Sequence, residues 1–245
     1  MSSLLPIHAV LDEVKEKFRH NDILILHAPP GAGKSTVLPL ELLNEPWLNG
    51  KKIVMLEPRR LAARSVSARM ASTLNEEVGE TVGYSIRFER KVSARTKLEV
   101  VTEGLLARRM QNDETLSDVG LLIFDEFHER NLHADFALTL ALEIRNIVRP
   151  DLKILIMSAT LDTVGLSALL DNAPIISSEG RQFPITLHYS EENSSQSLSS
   201  NVTALVATAL RETQGDLLVF LPGAGEINRV KEELESRSTG CMIHP

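Results

Sequence analysis

Short apolar runs alternate with segments of helical periodicity along most of the 245-residue chain. The apolar runs predict buried strands at Ile23 to Ala28, Lys52 to Glu57, Lys97 to Thr102, Gly120 to Asp125 and Lys153 to Ser158. The segment Ala134 to Val148, with apolar residues three or four apart, is typical of the helices between them. This alternation predicts an α/β fold with a parallel sheet and helices on both faces.

Composition narrows the class of protein. A content of 43% hydrophobic and 24% charged residues indicates a folded globular chain rather than a disordered one. The apolar runs are too short to span a bilayer, and the N-terminus lacks a basic region followed by an apolar one, so we expect a cytoplasmic protein with no membrane partner. Cys241 is the only cysteine, which excludes an intrachain disulfide and a cysteine-based metal site.

A glycine-rich segment directly follows the first predicted strand and precedes a helix-compatible stretch. Gly31 and Gly33 allow positive φ, so that backbone N–H groups and the following helix N-terminus can surround phosphates. Lys34 supplies a positive charge, and Ser35 a hydroxyl for Mg²⁺. The segment, which we call the phosphate cradle, consists of Ala28, Pro29, Pro30, Gly31, Ala32, Gly33, Lys34, Ser35 and Thr36.

The cradle departs from the GxxxxGK[ST] pattern at its first position, where Ala28 replaces glycine. A Gly-rich segment before a helix can also be a tight turn without a ligand. The presence of Lys34 and Ser35 favours a nucleoside triphosphate site, with ATP or ADP and Mg²⁺ as the expected ligands.

Two adjacent carboxylates follow the predicted strand Gly120 to Asp125. One carboxylate can hold Mg²⁺ while its neighbour orients and deprotonates the attacking water, which is the division of labour that phosphoryl transfer needs. We assign Asp125, with Ser35, to the metal and Glu126 to the base. The alternative is that both carboxylates cap a helix N-terminus; the preceding cradle favours the catalytic interpretation.

Basic residues are concentrated in one part of an otherwise acidic chain. The formal net charge is −7, yet residues 51–110 contain 13 Lys or Arg against 7 Asp or Glu. We call residues 51–110 the basic band. Arg59, Arg60 and Arg64 follow a predicted strand end, where they could form a solvated helix face or contact the phosphates of a single strand. Only 4% of residues are aromatic, which favours contacts with the backbone over base stacking.

Several separate blocks, in the expected order, resemble the DEAH/DExH-box helicases of superfamily 2, and within them the bacterial HrpB-type ATP-dependent helicases. The blocks that are similar to motifs I, Ia, Ib, II, III and the start of IV are Ala28 to Thr36, Glu57 to Arg64, Thr102 to Leu106, Asp125 to His128, Ser158 to Thr160 and Leu218 to Gly223. Two further blocks, Val82 to Glu89 and Gly180 to Pro184, also resemble family segments.

This resemblance implies a RecA-like P-loop NTPase fold and an ATP-dependent nucleic-acid helicase, with RNA favoured over DNA and 3′-to-5′ movement. It implies that Lys34, Asp125, Glu126 and His128 act in catalysis and that Ser158 and Thr160 couple hydrolysis to strand movement. It offers adenine stacking as a role for Arg69, for which an ordinary surface position is the alternative. It assigns contacts with single-stranded nucleic acid to Arg59, Arg60, Arg64, Thr102 and Gly104. Phe127 replaces the usual Ala, and we expect it to alter packing beneath the metal site without changing its charge.

A serine-rich stretch, Ser190 to Ser200, indicates a flexible connection. We therefore predict a first RecA-like domain at 1–178, a linker at 179–200 and an incomplete start of a second RecA-like domain at 201–245. This second part is expected to contain helices near Val202 to Thr213 and Glu226 to Arg237. It is also expected to contain a strand, Asp216 to Leu221, whose apolar edge docks on the first domain or on another molecule.

The blocks expected for motifs V and VI, which carry the arginine finger in this family, do not occur before Pro245. An arginine finger contributes roughly 10³ to 10⁵ in rate. We therefore expect these residues alone to bind nucleotide but turn it over poorly, and the remainder of the second domain to be their partner.

Two other functions share part of this pattern. Another P-loop NTPase, such as a small-molecule kinase or a transport ATPase, would also need the cradle. It would not require Asp125 to His128, Ser158 to Thr160 and the arginine-rich block in the same chain. A nucleotide-dependent nucleic-acid-binding module without helicase activity would use the same residues without turnover. The retention of both Asp125 and Glu126 favours an enzyme that hydrolyses ATP.

Overall fold

The computed structural model describes residues 5–113, 115–159, 163–180, 184–189, 197–237 and 240–244. The chain divides into two compact units, Met1–Gln182 and Phe183–Pro245. The domain boundaries at 178 and 200 stay a prediction. In the described ranges, no helix is both long and apolar enough to cross a membrane.

The first unit is built on one sheet, whose strand order is β4-β3-β5-β2-β6-β7-β1-β8. Neighbouring strands are parallel except β3 and β4, which are antiparallel. The strands are β1 Ile23–His27, β2 Lys52–Glu57, β3 Val82–Ile86, β4 Glu89–Lys91, β5 Leu98–Thr102, β6 Val119–Phe124, β7 Lys153–Ser158 and β8 Ile175–Ser177. The five predicted strands are confirmed to within one residue at each end, whereas β3, β4 and β8 were not predicted.

Helices cover both faces of this sheet, as predicted. In the first unit they are α1 Leu11–His20, α2 Leu38–Glu41, α3 Arg60–Thr73, α4 Glu103–Asn112, α5 Leu132–Ile147 and α6 Thr163–Leu169. Phe18 of α1 and Met70 of α3 belong to the core cluster on one face. Met110 of α4 and Leu138 of α5 belong to the cluster on the other. The central strands β6 and β7 are buried along their whole length, which explains their almost continuous apolar sequences.

The helix expected directly after the cradle begins later than the sequence predicts. Residues up to Val37 form turns, and α2 starts only at Leu38. Pro39 supplies the reason, since it has no N–H to donate to the carbonyl of Ser35 and its ring crowds that carbonyl. The cradle is therefore followed by turns rather than directly by a long helix.

The second unit contains a pair of helices, α7 Leu198–Glu212 and α8 Ala224–Ser236. Ser199 Oγ donates to Glu233 at 2.6 Å across the pair. Thr203 of α7 and Val230 of α8 are buried. Both helices were predicted, and each extends a few residues beyond its predicted start.

The predicted strand Asp216 to Leu221 is not formed. A strand needs a hydrogen-bonded neighbour, and the described residues of the second unit contain no strand that could pair with it. Leu218 and Phe220 are 81% and 86% exposed as a result. Docking of this segment on another surface stays a prediction.

Candidate nucleotide and nucleic-acid site

The predicted catalytic segments meet at one edge of the sheet because β6, β7 and β1 are neighbours. Register pairs His27, which precedes the cradle, with Ser158 at the end of β7. Phe124, which precedes the two carboxylates, is paired with Ile156 of the same strand. The cradle, Asp125 and Ser158 therefore lie beyond the carboxyl ends of adjacent parallel strands, which is where ligands bind in sheets of this kind.

Backbone geometry supports the phosphate cradle. Gly31 and Gly33 have φ values of 77° and 95°, as their sequence positions predict. A Cβ at Gly33 would lie 2.9 Å from Ile7 Cγ2, so this position also excludes a side chain by space. Ala28, in the first position of the motif, is fully buried and donates its N–H to the carbonyl of Ser158 at 3.0 Å. Its φ is not positive, so the glycine of the usual pattern is not needed there.

Lys34 of the cradle is directed at the second of the two carboxylates. Its Nζ donates to Glu126 Oε1 at 2.8 Å. The Lys34 side chain is 4% exposed and that of Glu126 is 26% exposed. The contact joins the segment after β1 to the segment after β6 and brings the predicted phosphate ligand and the predicted base together.

Asp125 has the environment of a cation ligand. It is 2% exposed, and its Oδ1 accepts the N–H of Glu126 at 2.8 Å. Its Oδ2 is buried and has no hydrogen-bond partner among the described residues. A carboxylate oxygen left in this way beside a serine hydroxyl fits Mg²⁺, which prefers oxygen ligands and is usually held by one or two carboxylates together with substrate phosphates.

A second buried carboxylate, Glu57 at the end of β2, lies beside Asp125. Burial raises the pKa of Glu57 to about 8, and the negative charges of Asp125 and Glu126 add to this effect. Burial likewise raises the pKa of Asp125 to about 6, against the lowering influence of the Ser35 hydroxyl and of Lys34. The sequence analysis placed Glu57 in the block similar to motif Ia and did not predict its position beside Asp125. A lone carboxylate at the end of an apolar strand is the signal that could have found it.

His128 connects the carboxylate segment to the end of β7. Its Nδ1 accepts the N–H of Ala159 at 3.3 Å, and its Nε2 lies 3.4 Å from Glu126 Oε2. Ser158, at the end of β7, is 6% exposed, while Thr160 lies outside the described residues. The segment Asp125 to His128 and the segment that follows β7 are thus in contact.

Phe127 fills space beneath this segment. It is 5% exposed and meets the Phe124 ring edge to face, with centroids 6.3 Å apart. The expectation that this side chain affects packing and not charge is consistent with that geometry.

The predicted nucleic-acid residues lie at the same edge of the sheet, beyond β2 and β5. Thr102 ends β5, and Gly104 is exposed in the first turn of α4. Arg69 is exposed on α3. Binding of a nucleic-acid strand at these positions stays a prediction.

Many cations of the basic band have partners within the protein. Arg59 donates to Glu129 at 2.7 Å, Arg64 forms an ion pair with Glu89, and Arg60 donates to the carbonyl of Arg87 at 3.3 Å. Further ion pairs involve Lys51, Lys52, Arg95 and Arg109. The band is therefore less available to phosphates than its sequence charge predicts.

Two contacts with the cradle were not predicted. A Cβ at Gly180 would lie 2.1 Å from Pro29 Cγ, so only a glycine allows this close approach. Ile7, in the 3-10 turn Pro6–Ala9, donates its N–H to the carbonyl of Ala32 at 3.0 Å. Gly180 was noted as part of a family block without a structural role, and the N-terminal turn carried no motif.

Comparison with known proteins decides the family. A family model described as DEAD/DEAH box helicase matches residues 9–167. The chain belongs to the DEAD/DEAH box helicase family. It is 52% identical over 235 residues to the ATP-dependent RNA helicase HrpB of Escherichia coli strain K12, covering 96% of this chain and 29% of that protein.

Solved helicase structures agree with this assignment. A crystal structure of Escherichia coli DEAH/RHA helicase HrpB matches with a TM-score of 0.90 and 52% identity, covering 95% of this chain and 30% of that one. A crystal structure described as E. coli DExH-box NTPase HrpB matches with a TM-score of 0.81 and 51% identity, covering 97% and 29% of the two chains. The RecA-like fold that the sequence resemblance implied is confirmed. The chain spans less than a third of the length of these helicases.

Proposed function

We propose that the protein containing these residues is an ATP-dependent RNA helicase that hydrolyses ATP to move along a single strand. The observation that carries this proposal is the 2.8 Å contact of Lys34 with Glu126, which brings the cradle cation and the candidate base together beside Asp125. Arg59 lies at the same sheet edge, where it could bind a phosphate of a nucleic-acid strand and so link hydrolysis to that strand. The Escherichia coli relative is named an RNA helicase, which favours RNA over DNA.

The residues of the cradle and the carboxylate segment divide the chemistry. Lys34 binds the β- and γ-phosphates as a point charge, and the cradle N–H groups bind the phosphate oxygens. Phosphate oxygens compete with Glu126 for Lys34, so nucleotide binding frees Glu126. Glu126 then orients the attacking water and accepts its proton.

Mg²⁺ fits the oxygen ligands that this chain offers. Ser35 Oγ and the unpaired Oδ2 of Asp125 would hold it. When bound, the cation would neutralise charge on the phosphates and so favour transfer of the γ-phosphoryl group to water.

His128 holds the carboxylate segment in register with β7. It accepts a hydrogen bond from the Ala159 N–H and lies beside Glu126. Movement of the segment that contains Ser158 and Thr160 would therefore change the position of Glu126. In this role His128, Ser158 and Thr160 couple the nucleotide state to strand movement.

The nucleic-acid side uses backbone contacts. Arg59, Arg60 and Arg64 bind phosphates, and Thr102 and Gly104 present the first turn of α4 to the strand. Such contacts do not read bases, which suits an enzyme that moves along any sequence. Arg69 stacks on adenine at the nucleotide.

Unwinding by the whole protein tests this function. RNA and DNA duplexes with single-stranded tails are compared in the presence of ATP and Mg²⁺, with Lys34→Ala as the inactive control. The proposal expects ATP-dependent strand separation that is faster on RNA and lost in K34A. Nucleotide-dependent strand binding without separation would instead favour the binding-module alternative.

A further inference from the structure

An ion pair joins the proposed nucleic-acid side of the sheet edge to the proposed nucleotide side. Arg59 follows β2, on the nucleic-acid side, and Glu129 follows β6, on the nucleotide side. Arg59 Nη2 donates to Glu129 Oε1 at 2.7 Å. The Arg59 side chain is 71% exposed and that of Glu129 is 31% exposed, so the arginine is in reach of a strand in solution while it holds the carboxylate.

Glu129 sits at the end of a short turn that begins at the candidate base. The 3-10 turn Phe127–Glu129 is bounded by Glu126 and Arg130, and both of these residues have left-handed backbone, with φ values of 49° and 41°. The turn is closed by a 2.9 Å hydrogen bond from the Glu129 N–H to the Glu126 carbonyl. Non-glycine residues adopt this conformation only when the surrounding contacts hold them in it.

The two ends of the turn hold two cations that both bind phosphate in the proposed function. Glu126 accepts from Lys34 of the cradle at 2.8 Å, and Glu129 accepts from Arg59 at 2.7 Å. Because the turn is short and hydrogen-bonded within itself, displacement of one end changes the position of the other.

The outer contact, Arg59 with Glu129, is the one that a nucleic-acid strand can break. Ion pairs between exposed side chains are weak, whereas a guanidinium binds phosphate with two parallel charge-assisted hydrogen bonds. A strand phosphate at Arg59 therefore competes effectively with Glu129. In the inner contact the Lys34 side chain is only 4% exposed, so a nucleic-acid strand in solution reaches it less easily than it reaches Arg59.

We propose that Glu129 is a positioning residue of the nucleotide site. In the strand-free protein it keeps Arg59 and the turn together, which holds Glu126 at its position beside Lys34. A nucleic-acid phosphate that binds Arg59 releases Glu129, and the freed turn lets Glu126, once nucleotide phosphates have displaced it from Lys34, reach the attacking water. This inference rests on the proposed function, since it requires that a strand stimulates hydrolysis.

Glu129→Gln in the whole protein tests the inference, with single-stranded oligouridylate as the probe. Loss of the exposed pair should tighten RNA binding by roughly twofold to fivefold, the range that corresponds to an exposed ion pair. The RNA-free kcat should rise, and the ratio of RNA-stimulated to RNA-free kcat should fall, while KM for ATP stays unchanged. Glu80→Gln is the matched control, because Glu80 pairs with Arg95 at 3.1 Å with side-chain exposures of 36% and 74%.

Arg59→Ala provides an independent measurement, since it breaks the same pair from its exposed side. It should raise the RNA-free kcat as E129Q does, while weakening RNA binding. Adding E129Q to R59A should change the RNA-free kcat no further. Wild-type RNA-free kcat in both single variants, or additive effects in the double variant, would overturn the inference. Absence of any RNA stimulation in the wild-type protein would instead count against the proposed function.

Discussion

Lys34 Nζ lies 2.8 Å from Glu126 Oε1 although the two residues are 92 positions apart in the chain. The contact neutralises the cradle cation with the carboxylate that is the candidate base. In the proposed function, nucleotide phosphates and Glu126 compete for this one ammonium group, so that phosphate binding would release the base.

Glu126→Gln should separate nucleotide binding from hydrolysis. The amide removes the proton acceptor and also the charge that competes for Lys34. We expect ADP and ATP affinity to be equal to or tighter than that of the wild type, and steady-state hydrolysis by the whole protein to fall by roughly 10²- to 10⁴-fold. Calorimetric titration and a phosphate-release assay measure the two effects. Glu143→Gln, exposed on α5, is the isosteric control, and unchanged hydrolysis in E126Q would remove Glu126 from its role.

Glu57→Gln should change how stability depends on pH. The pKa of Glu57 is raised from 4.5 to about 8 in the folded protein, so the folded state keeps a proton that the unfolded chain has released. The contribution of Glu57 to the free energy of unfolding is thus fully present below pH 4.5 and is lost as pH rises towards about 8. The loss is at most about 1.4 kcal/mol per pH unit. E57Q should remove this decline and be more stable than wild type at the alkaline end.

Urea denaturation of the 245-residue chain at several pH values measures this effect. Trp47, the only tryptophan, packs on Phe18 with ring centroids 5.0 Å apart and reports on the first unit. Glu77→Gln, at an exposed loop position, serves as the control. Parallel stability curves for wild type and E57Q across the range would show that Glu57 is not held protonated.

Gly180→Ala should disturb the cradle. The new Cβ would lie 2.1 Å from Pro29 Cγ, so the cradle or the Gly180 segment must move. Forced overpacking costs roughly 1–3 kcal/mol, and we expect most of it as weaker ADP binding. Gly225→Ala on α8, where the nearest atom would be 3.6 Å away, is the control for calorimetric titration. Wild-type ADP affinity in G180A would mean that the cradle tolerates the displacement.

Arg149→Lys should destabilise the segment that leads into β6. Arg149 is 8% exposed, and its guanidinium donates to the carbonyls of Thr115 and Leu116, to that of Val119 at 2.9 Å, and to Asp151 at 2.8 Å. An ammonium group cannot reach all of these acceptors, and each buried acceptor left unpaired costs roughly 1–3 kcal/mol. We expect a loss of that size in the free energy of unfolding.

The same Trp47 signal in urea measures the loss in R149K. Arg19→Lys is the control, because the Arg19 side chain is 61% exposed and pairs only with Glu16 on its own helix in the described structure. A drop in R149K no larger than in R19K would show that the buried network contributes little.

The sequence predicted the strands that have long apolar runs and missed those that do not. Burial on both faces makes β2, β6 and β7 almost continuously apolar, so their bounds could be read directly. The edge strand β4 is the polar tripeptide Glu89–Lys91, and β8 has only three residues, so neither gives a periodic signal. Their existence depends on a neighbouring strand. For the same reason the apolar segment Asp216 to Leu221, which has no such neighbour among the described residues, was predicted as a strand and is not one.

The candidate site residues could be named from the sequence where the residues concerned are adjacent in the chain. The cradle Ala28 to Thr36 and the pair Asp125 and Glu126 each contain their own signal, because glycine conformation and neighbouring carboxylates are properties of a few consecutive residues. The late start of α2 at Leu38 also has a local cause in Pro39, which the sequence contained and the prediction did not use.

The sequence by itself determined an α/β fold with a parallel sheet, a phosphate cradle after β1 and two carboxylates after β6. Only the tertiary structure decided which charges meet. Lys34 pairs with Glu126, Arg59 with Glu129, and Glu57 lies beside Asp125 because β1, β7, β6 and β2 stand side by side. Strand order results from packing of the whole core, and no short segment encodes it. The basic band likewise counts as positive in sequence, but in the folded protein carboxylates of the described residues pair with six of its 13 cations.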